Sequence, residues 1–299
     1  MKKNSNFLIV LLLMLASFTP DYDIVRGDAD QSGEVNVADV TTLIDYLLCG
    51  YWPGEESQPT SAETVTVNGV SFTMINVEGG TFMMGATAEQ GTNYLSYSLP
   101  VHEVTLSSYS IGQTEVTQAL WEAVMGWNRS RFTGDPQRPV EMVTWAECQT
   151  FITKLNQLTG KTFRLPTEAE WEFAARGGNY SKVYTFAGSN NRYDVAWCYY
   201  NASLMTHKVG LKCPNELWLY DMSGNVNEWC QDWFDYYTSE AQTDPTGPET
   251  GAFSEPQRVI RGGCCNYDVN SFMGDCRVSR RHYSRPQNAY DNVGLRLAL

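Results

Sequence analysis

The sequence predicts an α+β domain with much irregular structure over residues 65–299, behind a small N-terminal helix-loop. Three observations carry that expectation. Two Thr-x-x-Glu capping boxes, at Thr144 and Thr167, announce short helices. Valine-rich runs bounded by glycine read as short strands. After Gly178 the chain is rich in Asn, Gly, Tyr and Trp and has no long periodic run, so long loops must dominate. The 299 residues suffice for two domains, and 42% hydrophobic with 18% charged residues is a globular composition. With 21 Lys+Arg against 34 Asp+Glu, the net charge of -13 argues against a nucleic-acid partner.

Lys2 and Lys3 precede an apolar run over 7–16. Ten residues are too few to span a bilayer and suit a secretory signal, placed at 1–20. The expectation is an exported bacterial protein, in the periplasm, on the surface or secreted, with no membrane span in the mature chain. Asp28, Asp30, Ser32, Asn36 and Asp39 then fall at the oxygen-ligand positions of an EF-hand loop. Gly33 makes its sharp turn and Glu34 offers a backbone carbonyl, as a hard calcium ion requires. Val40, Leu43, Ile44, Leu47 and Leu48 line one face of a following helix, ended by Gly50 and Pro53. This stretch resembles a dockerin type I repeat over 23–50. A single repeat is present where dockerins generally hold two. The resemblance implies Ca2+ and a cohesin-like partner. Polar residues and two prolines make 51–64 a linker. The eight cysteines (49, 148, 198, 213, 230, 264, 265, 276) contain no C-x-x-C pair, and their pairing stays open.

In the large domain, Val65, Val67 and 70–77 form strands joined at an Asn68-Gly69 hairpin turn. A glycine-bounded strand follows at 79–85, without the Gly-Lys-Ser/Thr of a phosphate loop. A helix is expected over 118–125. The Thr144 helix turns Cys148, Phe151, Ile152, Leu155 and Leu158 inward until Gly160. The Thr167 helix packs Trp171, Phe173 and Ala174 and stops at Gly177-Gly178.

Seven motifs occur in order: Gly79-Gly-Thr-Phe-Met-Met-Gly85, Glu115-Val-Thr117, Arg138-Pro-Val140, Arg164-Leu-Pro-Thr-Glu-Ala-Glu-Trp-Glu-Phe-Ala-Ala-Arg-Gly-Gly178, Leu219-Tyr-Asp-Met-Ser-Gly-Asn-Val226, Arg261-Gly-Gly263 and Gly294-Leu-Arg296. Together they resemble the formylglycine-generating enzyme, or sulfatase-modifying factor, family, over about 65–299. The resemblance implies a C-type-lectin-like fold steadied by calcium. By the match, Asp221 and Glu228 give carboxylates and Gly224 and Val226 give carbonyls, with Asn201 and Ser203 at a second site. It also implies, for the enzyme, Cu(I) on two cysteines five apart and oxidation of a sulfatase Cys in Cys-x-Pro-x-Arg to formylglycine. An ungapped count places Tyr267 and Phe272 at that pair, and no Cys lies between 265 and 276. Oxidase chemistry, with Cu(I), is therefore the alternative and ligand binding the leading reading. His102, His207 and His282 do not cluster as an iron centre of the related sulfoxide synthases would.

Variable proteins of diversity-generating retroelements use the same fold to present a diversified surface, and the C-terminus resembles theirs. Of the 27 residues 266–292, 13 are Asn, Asp, Ser or Tyr, which suit adaptable recognition. The last 39 residues hold six Arg against three Asp, which predicts a locally basic face. Tyr267, Asp268, Asn270, Phe272, Arg281, Tyr283 and Arg285 are the candidate contacts, for a protein or cell-surface ligand of unknown identity.

Overall fold

The computed structural model describes Cys49 and residues 61–91, 96–267 and 274–299. The chain divides into Met1–Ser57 and Gln58–Leu299. The signal segment, the calcium loop from Asp28 to Asp39, and Asp268, Asn270 and Phe272 lie outside the described residues.

The large unit starts with β1 (Ala62–Val67) and β2 (Val70–Val77), antiparallel with Val67 opposite Val70. Asn68 and Gly69 both take positive φ, 48° and 80°, the hairpin geometry their residue types favour. The strand thus begins inside the stretch expected as linker. β3 (Gly80–Met84) pairs with β4 (His102–Leu106), and β5 (Tyr109–Gly112) closes a three-stranded sheet on β2.

Three helices follow where the sequence places them. These are α1 (Gln118–Met125), α2 (Trp145–Thr159) and α3 (Glu168–Ala175). Both capping boxes close reciprocally: Glu147 N donates to Thr144 Oγ1 at 3.1 Å while Thr144 N donates to Glu147 Oε2 at 2.9 Å. Leu158, expected on the inward face of α2, is 52% exposed, because the last turn runs past the end of the core. All eight residues of α3 are buried. A short helix α4 (Arg192–Val195) leads into β6 (Ala196–Trp197), which pairs with β7 (Ser223–Gly224).

The C-terminal half builds a four-stranded sheet that the sequence reading does not anticipate. β8 (Asn227–Trp233) lies between β10 (Arg258–Arg261) and β12 (Val293–Leu295), and β11 (Arg281–Ser284) is the outer neighbour of β10. β9 (Gln242–Thr243) adds to β4. One core cluster joins β1, β2, α1 and α2, with Trp121 stacked on Phe151 at 5.0 Å. Another surrounds α3 with Trp171, Phe173 and Phe234. Gly294 is demanded by packing, since a Cβ there would sit 2.3 Å from the Val140 carbonyl oxygen. Among the described residues no helix is long and apolar enough to cross a membrane.

Candidate functional site

Charge counting places six arginines at the C-terminal face; the structure spends five of them on ion pairs with little or no exposure. Arg261 is 0% exposed, pairs with Glu172, and donates to the carbonyls of Ser279, Arg280 and Val278 at 3.3, 2.7 and 3.1 Å. Arg281 clasps both oxygens of Glu168 at 2.6 Å and reaches the carbonyls of Tyr97 and Asp235. Arg296 holds Glu228 at 2.7 Å and the carbonyls of Gly112 and Tyr220 at 2.8 Å. Arg277 and Arg280 converge on Asp275. Arg285 alone of the six is about half exposed, and it pairs with Glu255. The expected basic face is therefore corrected: each of these charges has a carboxylate partner, and Arg277 and Arg280 share one, as buried charges need. Burial works to raise the Glu168 carboxyl, but Arg281 and Arg261 overcome it and hold its pKa below the ordinary value.

On this frame Tyr267, Tyr283 and Arg285 come together. With Gln257, His282, Ser284, Asn288 and Tyr290 they line an open concavity of about 350 Å3. Arg281 does not join them. Its guanidinium is a buried anchor beneath a different cleft, and the expectation that it contacts ligand is corrected on that ground.

The concavity is held from several sides. Tyr283 packs on Phe234 and Phe253, with ring centroids 4.4 and 4.9 Å apart. Met142 N donates to the Tyr290 carbonyl at 2.9 Å and Trp145 N to that of Pro286 at 3.1 Å, so the 286–290 loop is sewn to the start of α2. Asn288 Nδ2 donates to Tyr290 Oη at 2.8 Å. Asn266, next to Tyr267, donates to Asp291 at 3.1 Å and accepts from Asn292 at 3.1 Å. Tyr267 and Tyr290 then stand 45% and 38% exposed on a braced backbone. Such rigid aromatic area costs little entropy to bind with.

His282 sits at the back of the concavity. Burial, helped by the nearby Arg280 charge, pushes its pKa down to about 3. Its Nδ1 accepts from Tyr283 N at 2.6 Å, which leaves Nε2 as the protonated ring nitrogen. In the unfolded chain the imidazole titrates near its ordinary value of about 6.5. Between those values the unfolded state binds the extra proton, so His282 costs stability as pH falls from about 6.5 toward 3, with a slope of at most about 1.4 kcal/mol per pH unit. Urea unfolding of the native chain and His282→Asn from pH 7 to 4 is expected to show a shallower loss in the variant; parallel curves would contradict the assignment.

The cysteines bear on the copper question. Burial pushes the Cys264 thiol up to about 11 and those of Cys265 and Cys276 well above their usual value. Without a metal these thiols keep their protons at neutral pH, and Cu(I) would have to displace them. Cys49 and Cys213 are disulfide-bonded, and Cys148, Cys198, Cys230, Cys264, Cys265 and Cys276 carry buried thiols outside any disulfide. Among the described residues no cluster of three or more His, Cys, Asp or Glu side chains could hold a metal ion.

The calcium match gives a mixed result. Asp221 is buried in a left-handed turn (φ 58°); its Oδ2 accepts from Gly210 N at 2.7 Å, and its Oδ1 has no hydrogen-bond partner. Burial raises its pKa to about 6. A buried carboxylate oxygen without a donor, on the loop that carries Gly224 and Val226, fits a hard cation. Glu228 fits less well, because Arg296 and the Trp171 indole N–H already occupy its carboxylate. Asn201 spends its carboxamide on Cys198 N and the Ala196 carbonyl, and Ser203 is exposed on a positive-φ turn.

Gln257, His282, Ser284, Asn288 and Tyr290 line the site without being among the contacts expected from sequence. Tyr290 was legible as one of the recognition-type residues of 266–292, but nothing in sequence spacing pairs it with Tyr267.

A mixed α+β scaffold with much irregular structure and a braced, aromatic C-terminal concavity is the class of protein that this fold and site define. Residues 59–299 match the sulfatase-modifying factor enzyme 1-like domain, and the chain belongs to that family. It is similar to the chaperone protein LppX of Paenibacillus barcinonensis, at 34% identity over 76% of this chain and 89% of the relative. The formylglycine-generating enzyme of Streptomyces coelicolor is 29% identical over 82% and 92%. Among solved structures, Treponema denticola variable protein 1 superposes with a TM-score of 0.70 at 33% identity, covering 79% of this chain and 98% of that one.

Proposed function

We propose that this protein is a binding module that takes a protein or cell-surface ligand in the C-terminal concavity, and that it is not an oxidase. One observation carries the reading: Tyr267, Tyr283 and Arg285, picked from the sequence as contacts, converge with Tyr290 on one open depression. The structural likeness to a variable protein supports it, because that fold resemblance covers the whole of that chain but 2%. No Cys lies between 265 and 276, so the two thiols five apart that the oxidase uses are missing at their matched positions, which works against copper chemistry. The test is a screen of the full chain on glycan and extracellular-protein arrays. The expected result is a ligand whose retention is lost when Tyr267 and Tyr290 are both replaced by Ala. A ligand indifferent to that pair would put the binding site elsewhere.

Two further parts of the reading concern calcium and location. The Asp221 loop would hold Ca2+ through Asp221 and the carbonyls of Gly224 and Val226, fixing the turn that leads into β8. The Asp28–Asp39 loop would hold another ion and dock a cohesin-like partner. A disulfide fits an oxidising, extracytoplasmic compartment. Calcium at a hundred times its Kd is expected to stabilise the fold by about 2.7 kcal/mol. Thermal melts of the native chain and Asp221→Asn with calcium or EGTA measure this. The variant should lose the part of the shift due to its loop, and an undiminished shift would assign all of it to the N-terminal repeat.

A further inference from the structure

A second cleft, of about 500 Å3, lies apart from the concavity and opens along the end of β8. Its floor is Asp232, only 5% exposed. Asp232 Oδ2 accepts from Glu168 N at 2.9 Å, and among the described residues no hydrogen bond to Oδ1 accompanies it. Burial, reinforced by the Glu168 charge and only partly offset by Arg281, raises this carboxyl to about 7. Glu168 is neutralised by Arg281, so the cleft's one guanidinium is spent inside the fold. Asp235 lines the same cleft and has no ion pair among the described residues; its Oδ1 accepts from Tyr236 N at 2.7 Å.

The walls are aromatic. Tyr236 is 58% exposed at the mouth. The Tyr237 ring is fixed edge-on to His102 at 4.6 Å and under Arg281 at 3.7 Å. On the far side Gly247 presses so close that a Cβ there would stand 2.8 Å from Asp232 Cβ, so the loop backbone screens the carboxylate from that direction. The result is an open, acidic cleft with apolar and π-bearing sides, the complement of a positive head on an aliphatic stem.

We propose that this cleft binds an alkylammonium group, with Asp232 as its counter-ion and Tyr236 covering its stem. A lysine side chain of a partner protein and a free diamine share that chemistry. The assignment is independent of the C-terminal site.

Calorimetric titration of the full chain tests it, with Nα-acetyl-lysine methylamide and cadaverine as probes and Nα-acetyl-norleucine methylamide as the uncharged control. At least one amine is expected to bind saturably and the norleucine analogue not at all. Binding by the lysine probe points to a peptide source; binding by cadaverine alone points to a free amine. Asp232→Asn, whose side-chain oxygen can still cap Glu168 N, should weaken binding by about tenfold or more. Tyr236→Ala, an exposed change that spares the fold, should weaken it about threefold or more. Tyr267→Ala with Tyr290→Ala should leave it unchanged. No saturable binding of either amine overturns the proposal. So does equal binding of the norleucine analogue, or affinity that Asp232→Asn and Tyr236→Ala both leave intact.

Discussion

Replacing Arg296 by Met is expected to cost about 3–5 kcal/mol, enough to leave much of the chain unfolded at 37 °C. Arg296 and Glu228 are both 0% exposed. Removing the guanidinium strands the Glu228 carboxylate with only the Trp171 N–H, close to the buried carboxyls of Glu115 and Asp221. It also removes the hydrogen bonds to the carbonyls of Gly112 and Tyr220, which tie β12 to the β5 end and the Asp221 loop. Adding Glu228→Gln should restore part of the loss, because the uncompensated charge goes with it. Urea midpoints of the single and double variants measure both statements. A loss below about 1 kcal/mol for Arg296→Met would mean that the pair is not the clamp described here.

The second large effect concerns binding. Tyr267→Ala and Tyr290→Ala remove the two most exposed aromatic faces of the concavity. Central aromatic anchors commonly contribute about 2 kcal/mol each, so the pair should weaken a ligand by about a hundredfold or more. Stability should barely move, since exposed side chains away from the core change it by roughly 0.5 kcal/mol or less. Surface plasmon resonance with the array-selected ligand, beside thermal melts, separates the two. Loss of affinity with an unchanged melting temperature is the expected pattern. Equal losses in both would make these tyrosines part of the fold.

What the sequence disclosed follows from the range of the interactions. The capping boxes at Thr144 and Thr167 and the Asn68-Gly69 turn are local, and each element appears where it is read. The four-stranded sheet was hidden because β8 is buried on both faces, so Asn-Glu-Trp-Cys-Gln-Asp-Trp shows no alternation. The arginines were misread for a related reason. Arg261 meets Glu172 across 89 residues and Arg281 meets Glu168 across 113, and a charge count along the chain cannot see either partner. Tyr267, Tyr283 and Arg285 were legible by residue type, while their convergence is a property of the sheet that carries them.

The central claim, that this scaffold binds and does not oxidise, is tested most directly by copper-dependent turnover. The full chain would be loaded with Cu(I) in air and given a Cys-x-Pro-x-Arg peptide, beside a formylglycine-generating enzyme as control. Mass spectrometry would follow loss of the thiol and gain of an aldehyde. The account predicts an unchanged peptide while the control converts its own. Aldehyde formation by this chain, lost on replacing Cys264, Cys265 or Cys276 by Ser, would contradict it and place an active thiolate copper centre among those buried cysteines.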